Sequence, residues 1–466
     1  MSKFSEWTFY KPKSGGANEA GELGGVYSRT DDPTQLAMIK QEKSPEKNIS
    51  EFLGSRLFET LSPGNGAKVS LVVSDDWAGR LDDEKGLQDD GSNVYVRSEF
   101  FKNYAGDMYV DMDKHLPEDV RPSKYLRKDG GRPLFMGTRE WLYGTLTKAF
   151  EILRYEGFAN TAPASLLLND FDMHTGNHGV IRDPKNSQIP PKLVRLDFAG
   201  SLEKLEEEIH PNSNSRHLPL IGPTNHYVEF PKKIKKTNEF ADCLINTSKI
   251  NLDETIDSSF KELQRFYSDK ALANWAKMSM PGRFKNKAAG EITVEEIKSG
   301  FKETMTARQQ SLKEYGIQIK LTLAMSKDQE TGLYKVDEQK LGELVAEHKD
   351  YFVDVVEGRK EIKLREENKG ALEVLLSAVK TAIRTLFPSL KISSVNESAS
   401  NDKIAKMGEA QVYPTKQHIL IHGLQEVKEV LKTHVANPIK KEKKNVEQVT
   451  ENKTLQRHKR KSAVLT

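Results

Sequence analysis

Short runs of alternating apolar and polar residues dominate the first hundred positions of the chain, a pattern that is typical of β-strands. The runs GGVYSRT (24–30) and TQLAMIK (34–40) flank the turn-forming residues DDP (31–33) and together predict a β-hairpin. Residues 67–73 and 93–101 predict two more strands. Residues 48–61 instead place apolar side chains at helical spacing, so we expect one helix within this strand-rich region.

The pattern becomes helical from about residue 138. Residues 138–158 predict one long amphipathic helix, and helices return from about residue 240 through 315 after a loop-rich span. A third region, from about residue 330, is helix-dominated, and its clearest element is GALEVLLSAVKTAIRTLF (370–387), which the following PSL ends. The chain as a whole therefore predicts an α+β fold.

Two short β-prone runs, HGVIR (178–182) and KLVRL (192–196), are joined by a segment rich in turn formers and predict a second hairpin. In such a hairpin the residue before the first strand lies beside the residue after the second. Those residues are Asn177 and Asp197, and both offer the oxygen ligands that Mg²⁺ prefers. We therefore expect a metal site between them.

Asp172 stands five positions before Asn177, on the same loop. Phosphoryl transfer needs metal ions that neutralise phosphate charge and a carboxylate that orients the attacking group and accepts its proton. Asp172 is accordingly the predicted catalytic residue.

The N-terminal hairpin adds a lysine and a glycine-rich segment. Because its strands run antiparallel, Gly24 and Gly25 return close to Lys40. The preceding SGGANEAGELGG, which includes Gly15 and Gly16, would let backbone N–H groups approach phosphate oxygens.

Lys40 could bind nucleotide phosphates, and such a lysine needs an acidic partner that positions it. Glu51 in the predicted helix is the best candidate, and Glu46 is the second.

These segments together resemble a known family. AMIK (37–40) resembles the VAIK strand of protein kinases, Glu51 their helix αC glutamate, and DFAG (197–200) their metal-binding D-F-G. The loop from Asp172 to Asn177 is closer to the D-x-H-x-x-N pattern of atypical and lipid kinases, including phosphoinositide 3-kinase-like and HipA-like enzymes. The resemblance implies that ATP and Mg²⁺ or Mn²⁺ are the cofactors and that protein hydroxyls accept the phosphoryl group.

The ordered set also resembles atypical protein-kinase-like effectors that Legionella secretes through a type IV system, with a C-terminal part similar to phosphatidylinositol-4-phosphate-binding domains. This resemblance implies a bilobal kinase-like fold with an N-lobe (10–105), a C-lobe (106–325), a helical phosphoinositide-binding domain (326–437) and a basic tail (438–466). It also implies secretion into a host cell and peripheral contact with anionic host membranes. No nucleic acid partner is expected.

Departures from the kinase pattern leave the acceptor open. The chain has no HRD motif, and Ala199 replaces the last glycine of D-F-G. A lipid or small-molecule kinase therefore remains an alternative, as does a degenerate kinase fold that acts as a phosphoinositide-binding module.

Two other classes of site fit less well. NDFD (169–172) resembles the D-x-D of haloacid dehalogenase-like phosphatases, but His174 stands where that pattern requires Thr or Val. His174 and His178 have the spacing of a zinc motif, but no Glu follows His174, and nearby glycines argue against the helix that this motif needs.

A basic cluster follows the predicted metal motif. It consists of Arg216, Lys232, Lys233, Lys235 and Lys236. The cluster predicts either a solvated loop or a site for a polyanion such as an inositol polyphosphate, which could order this segment and activate the enzyme.

Composition restricts these interpretations only slightly. The 466 residues are 36% hydrophobic and 30% charged, and their formal net charge is +3. Residues 438–466 hold nine Lys/Arg and three Glu, a net +6, so the remainder sums to −3. No stretch reaches the roughly 20 apolar residues of a membrane-spanning helix. Membrane contact would therefore be peripheral.

Overall fold

The computed structural model of the chain describes residues 2–12, 24–42, 44–75, 94–121, 126–129, 132–135, 151–170, 175–207, 209, 237–362 and 371–390. The chain divides into two units, residues 1–392 and 393–466, and all described residues belong to the first. Helices and strands both contribute, so the predicted α+β class is confirmed.

A six-stranded sheet occupies the N-terminal region, with the strand order β1-β5-β6-β4-β3-β2. Its strands are β1 (Ser2–Lys3), β2 (Trp7–Pro12), β3 (Gly25–Arg29), β4 (Leu36–Lys40), β5 (Val69–Val73) and β6 (Val94–Glu99). The predicted hairpin is confirmed as β3 and β4, which pair antiparallel with Gly25 opposite Ile39. Strand β2 was not predicted. It pairs antiparallel with β3, so the glycine-rich segment connects two neighbouring strands.

Helix α1 (Pro45–Leu61) crosses from β4 to β5 and is buried along most of its length. Ser44 caps its N-terminus by accepting a hydrogen bond from the Lys47 N–H, and Pro45 occupies the first turn, where its missing N–H costs nothing. The helix therefore begins three residues earlier than the apolar spacing predicts. It packs against the sheet on one side and against later helices on the other.

A second sheet is antiparallel and has three strands in the order β11-β10-β7. It consists of β7 (Tyr104–Asp107), β10 (His178–Ile181) and β11 (Lys192–Arg195). The second predicted hairpin is thus confirmed, but β11 ends one residue early, and His178 pairs with Arg195. Asn177 therefore lies opposite Leu196, whose N–H it binds through its carbonyl oxygen, and Asp197 is one residue further along. Strands β8 (Leu126–Asp129) and β9 (Arg132–Phe135) form a separate hairpin.

Helices α2 (Met108–His115) and α3 (Phe158–Leu167) flank this second sheet. The predicted helix over 138–158 lies mostly outside the described residues, and its C-terminal end is wrong. Residues 151–153 are helical, but Arg154 and Gly157 both have positive φ, at 54° and 88°, so the chain turns before α3 begins. Glycine suits this conformation because it has no Cβ.

The remaining described helices complete two cores. They are α4 (Asn238–Thr247), α5 (Asp253–Leu263), α6 (Asp269–Ser279), α7 (Pro281–Phe284), α8 (Val294–Leu323), α9 (Glu338–Glu347), α10 (Lys349–Val356) and α11 (Leu372–Leu386), with the hairpin β12 (Met325–Lys327) and β13 (Tyr334–Val336). The larger core joins α1 and the N-terminal sheet to α3 through α8. The smaller core joins the end of α8 to α9, α10 and α11.

Candidate active site

Lys40 lies at the centre of a buried group of carboxylates. Its Nζ is 2.8 Å from Glu42 Oε1, 3.1 Å from Asp197 Oδ1 and 3.4 Å from Glu51 Oε2. Three parts of the chain meet here, namely the end of β4, helix α1 and the segment after β11. The structure therefore brings together Lys40, Glu51 and Asp197, which sequence reasoning selected from separate segments.

The charges of this group depend on one another. Burial works against a charged lysine, but Asp197, Glu51 and Glu42 outweigh it and hold the pKa of Lys40 well above its usual value. Burial raises the pKa of Glu51 to about 8, against the attraction of Lys40. Burial also disfavours the Asp197 carboxylate, but Lys40 and a hydrogen bond with Glu51 keep the pKa of Asp197 well below its usual value. Near neutral pH the proton therefore resides mainly on Glu51.

Glu42 was not predicted from the sequence, yet it makes the shortest ion pair with Lys40. Its backbone N–H donates to Asn48 Oδ1 at 3.3 Å, and the Asn48 amide donates in turn to the Val94 carbonyl at 3.1 Å. Asn48 and Glu51 lie one turn apart on α1, so this helix holds the segment after β4 at two points. No hydrophobic pattern marks Glu42, because it lies in the charged run KQEK after the strand.

Asp197 has an unusual backbone conformation, with φ at 54°. A residue with a Cβ rarely adopts this left-handed conformation, which costs roughly 1 kcal/mol or more and is often retained at functional sites. The next residue, Phe198, is fully buried against Phe58 of α1, with ring centroids 5.1 Å apart. Lys47 of α1 donates to the Ala199 carbonyl at 3.1 Å. Packing against α1 therefore maintains the turn that directs Asp197 toward Lys40.

Arg195, the last residue of β11, is fully buried and connects both ends of the predicted catalytic loop. Its guanidinium makes two bonds to the Asp170 carboxylate, at 2.7 and 2.9 Å, and a third to the Asn177 carbonyl at 2.8 Å. Asp170 and Asn177 lie on either side of residues 171–174. A charged residue between the apolar residues Val194 and Leu196 was the sequence signal for this role.

Arg308 of α8 makes a comparable set of contacts to backbone carbonyls. Burial lowers its pKa to about 9, and its guanidinium donates hydrogen bonds of 2.6 to 2.9 Å to the carbonyls of Leu166, Leu167, Leu205 and Glu207. The first two carbonyls end helix α3, before the predicted catalytic loop, and the last two follow the DFAG segment. Arg308 therefore joins both segments to α8.

Several predicted site residues cannot be compared with the structure. Asp172, Gly15, Gly16 and the basic cluster (Arg216, Lys232, Lys233, Lys235 and Lys236) lie outside the described residues, and their roles stay predictions.

The structure does describe the second glycine pair, and it gives Gly25 a packing role. A Cβ at Gly25 would lie 2.7 Å from the Phe9 ring and 3.0 Å from the Lys11 carbonyl, so close packing of β3 against β2 already requires glycine here. The predicted approach of Gly24 and Gly25 to phosphates stays a prediction.

Carboxylate oxygens available for a divalent cation converge at this site. Ligand atoms of Glu42, Glu51 and Asp197 lie within 4.8 Å of one another. Oxygen ligands of this kind fit Mg²⁺ or Mn²⁺. Asp197 suits metal binding best of the three, because its side chain is partly exposed whereas those of Glu42 and Glu51 are buried.

Comparison with known proteins gives one family match. The family model for the LepB N-terminal domain matches residues 88–316, slightly less than half of the chain. No curated protein matches the chain.

Two solved structures are distantly similar. The Helicobacter pylori proinflammatory kinase CtkA is 15% identical, with a TM-score of 0.37, and the match covers 67% of this chain and 95% of CtkA. The N-terminal 618-residue fragment of LepB from Legionella pneumophila is 12% identical, with a TM-score of 0.34, and the match covers 71% of this chain and 57% of that fragment. Both TM-scores lie below 0.5, so neither likeness establishes a shared fold.

Proposed function

We propose that the protein is an ATP-dependent kinase that transfers the γ-phosphoryl group to a hydroxyl acceptor. One observation carries this proposal: carboxylate oxygens of Glu51 and Asp197 both lie within 3.4 Å of Lys40 Nζ. Protein kinases place a strand lysine, a helix glutamate and a metal-binding aspartate in the same relation. Pro12 at the end of β2 pairs with Gly25 at the start of β3, and Gly25 lies opposite Ile39, the residue before Lys40. The two strand ends that flank the glycine-rich sequence are therefore close to Lys40, which supports a phosphate-binding role for that sequence.

In this proposal each residue has a distinct role. Lys40 binds the phosphates, and Glu51 positions Lys40. Asp197 and Asn177 hold Mg²⁺ or Mn²⁺, which neutralises phosphate charge during transfer. Asp172 orients the acceptor hydroxyl and accepts its proton, while Arg195 fixes the residues on either side of its loop.

A protein hydroxyl is the favoured acceptor, and a lipid or small molecule is the alternative. A degenerate kinase fold is less consistent with the site, because the buried lysine–carboxylate group is complete. Two further parts of the proposal rest on sequence resemblance and charge. The protein belongs to a class of secreted Legionella-like effectors, and an inositol polyphosphate that binds the basic cluster activates it.

The full-length protein incubated with γ-labelled ATP and Mg²⁺ or Mn²⁺ tests the activity. Parallel reactions should contain a host protein extract, phosphoinositide vesicles or neither, each with and without inositol hexakisphosphate. We expect label on protein, and we expect Lys40→Met, Asp172→Ala and Asp197→Asn each to reduce transfer by about 100-fold or more. Lys68→Met, at an exposed position just before β5, is the matched control. Absence of transfer to every acceptor would refute the proposal.

We also propose that helix α11 contributes to contact with an anionic membrane. Lys380 and Arg384 are exposed on this helix, and Leu386 at its end is 42% exposed. An apolar tip beside basic side chains can insert at a lipid surface while the cations bind phosphorylated head groups. No helix in the described ranges is long and apolar enough to cross a membrane.

Flotation of the full-length protein with vesicles that contain or lack phosphatidylinositol 4-phosphate tests the membrane contact. Recovery should fall for the double variant Lys380→Glu/Arg384→Glu. Equal recovery of wild type and variant with both vesicle types would contradict the proposal.

A further inference from the structure

Glu42 lies closer to Lys40, the predicted phosphate-binding lysine, than Glu51 or Asp197 does. Its Oε1 is 2.8 Å from Lys40 Nζ, and the two side chains are only 4% and 5% exposed. An ion pair this well removed from water is stronger than a surface pair, because little solvent screens it.

Glu42 is also fixed in place without the lysine. Its backbone N–H is bonded to Asn48 of α1, and Asn48 is itself buried and bonded to Val94 of β6. These bonds hold the Glu42 backbone beside β4, and the buried carboxylate lies next to Lys40.

Three carboxylates surround the Lys40 ammonium group, with oxygens 2.8 to 3.4 Å from Nζ. A phosphate oxygen that approaches Lys40 must therefore compete with these carboxylates for the same positive charge. A metal ion that binds with the nucleotide would attract Asp197, whose side chain is partly exposed, whereas the Glu42 carboxylate is buried beside the lysine and would stay close to the phosphates.

We propose that Glu42 is a positioning residue that holds Lys40 in the nucleotide-free protein and competes with nucleotide phosphates for its ammonium group. This inference rests on the proposed kinase function and adds a residue that sets nucleotide affinity. Removal of the Glu42 charge should then strengthen the binding of phosphates, whereas loss of a merely structural residue would weaken it.

Calorimetric titration of the full-length protein with a non-hydrolysable ATP analogue and Mg²⁺ tests the proposal. Glu42→Gln keeps the shape of the side chain and should lower Kd about tenfold, because one negative charge is removed from a buried phosphate site. Adenosine, which has no phosphates, should bind wild type and variant equally when it competes with the analogue. Thermal unfolding of both proteins should confirm that the variant is folded.

Glu46→Gln is the matched control, because it removes one charge from the first turn of α1, whereas the carboxylates around Lys40 are those of Glu42, Glu51 and Asp197. Its Kd should equal that of wild type. If wild type binds the analogue but Glu42→Gln binds it equally or more weakly, or if the adenosine affinity rises in parallel, the competition is refuted and the kinase proposal stands. If neither protein binds the analogue, both proposals fail.

Discussion

Lys40 brings one positive charge to three carboxylates, so the group can be stable only if a proton or a second cation offsets the surplus negative charge. Burial raises the pKa of Glu51 to about 8, so this carboxyl is the group that takes up a proton near neutral pH. Binding of a divalent cation at Asp197 would provide the second cation and would favour the ionised form of Glu51. The protonation state of one buried residue is thus linked to occupancy of the site.

The raised pKa of Glu51 predicts a pH dependence of stability. The pKa is about 8 in the folded protein and 4.5 without the fold, so the folded state binds the extra proton between these values. The stabilisation is complete below pH 4.5 and is lost as the pH rises toward 8, by up to about 1.4 kcal/mol per pH unit. The lowered pKa of Asp197 has the opposite effect, so its contribution to stability increases with pH, but only below its usual pKa of 3.8.

Urea unfolding of the metal-free wild type and of Glu51→Gln between pH 5 and 8 would measure this effect. Other titrating groups are shared by both proteins, so the difference between their free energies of unfolding isolates Glu51. That difference should decrease as the pH rises. A difference that is constant over this range would show that Glu51 is ionised throughout.

Helix α1 packs closely against the segment that follows β11 and contains Asp197. A Cβ at Gly54 would lie 2.9 Å from Phe198 Cβ and 3.3 Å from Ser201 Cβ. The backbone of α1 at Gly54 therefore packs directly against the side chains of Phe198 and Ser201. Glycine inside a helix costs about 1 kcal/mol relative to alanine. The contact with Phe198 therefore gives a physical reason for a residue that helix propensity disfavours.

Gly54→Ala should lower the free energy of unfolding despite its better helix propensity, because overpacking of a core costs typically about 1–3 kcal/mol. It should also reduce nucleotide affinity, since displacement of α1 moves Glu51 away from Lys40. Gly342→Ala in α9 is the control: a Cβ there would meet nothing within 4 Å, and this change should raise stability by up to about 1 kcal/mol. Equal stabilisation by both changes would show that α1 can shift freely.

Arg195 and Asp170 connect β11 to the start of the predicted catalytic loop, and removal of one partner leaves a buried charge. Arg195→Met should reduce the free energy of unfolding by about 3–5 kcal/mol, and Arg195→Met/Asp170→Leu should recover most of that loss. Phosphoryl transfer should stay low in both variants, because the bond to the Asn177 carbonyl is also lost. Chemical denaturation and the labelled-ATP assay measure the two effects separately, and recovery of activity in the double variant would contradict a positioning role.

The elements with regular apolar patterns could be predicted from the sequence, but their ends could not be placed exactly: α1 begins three residues before its predicted start, and β11 ends one residue early. Lys40 ends a patterned strand and Glu51 lies in a patterned helix, so Glu51 could be proposed as the partner of Lys40, with Glu46 as the alternative. The structure pairs Lys40 with Glu51. The register at Asn177 was wrong by one residue, because His178 pairs with Arg195 and Asn177 therefore lies opposite Leu196. Glu42 and Asp170 act through contacts that form only after folding, and local patterns carry no signal for such contacts.

At the scale of the whole molecule, helix α8 belongs to both described cores. Phe301, Met305 and Leu312 contribute to the larger core, whereas Ile317 and Leu321 belong to the smaller core with α9, α10 and α11. The predicted domain boundaries stay a prediction. The shared helix nevertheless shows that residues after 325 pack against side chains of residues that precede 325.

Because of this shared helix, the C-terminal helices should stabilise the part of the chain that holds the site. A chain of residues 1–337 would expose Ile317 and Leu321, together with Ile245 of α4, all of which are at most 2% exposed in the structure. Each such side chain contributes roughly 1.5–3 kcal/mol through burial. We therefore expect a lower Tm for residues 1–337 than for residues 1–392, which retain α9 to α11 and serve as the reference. Scanning calorimetry of both chains measures the difference, and an equal Tm for the two would show that the smaller core folds independently of the larger one.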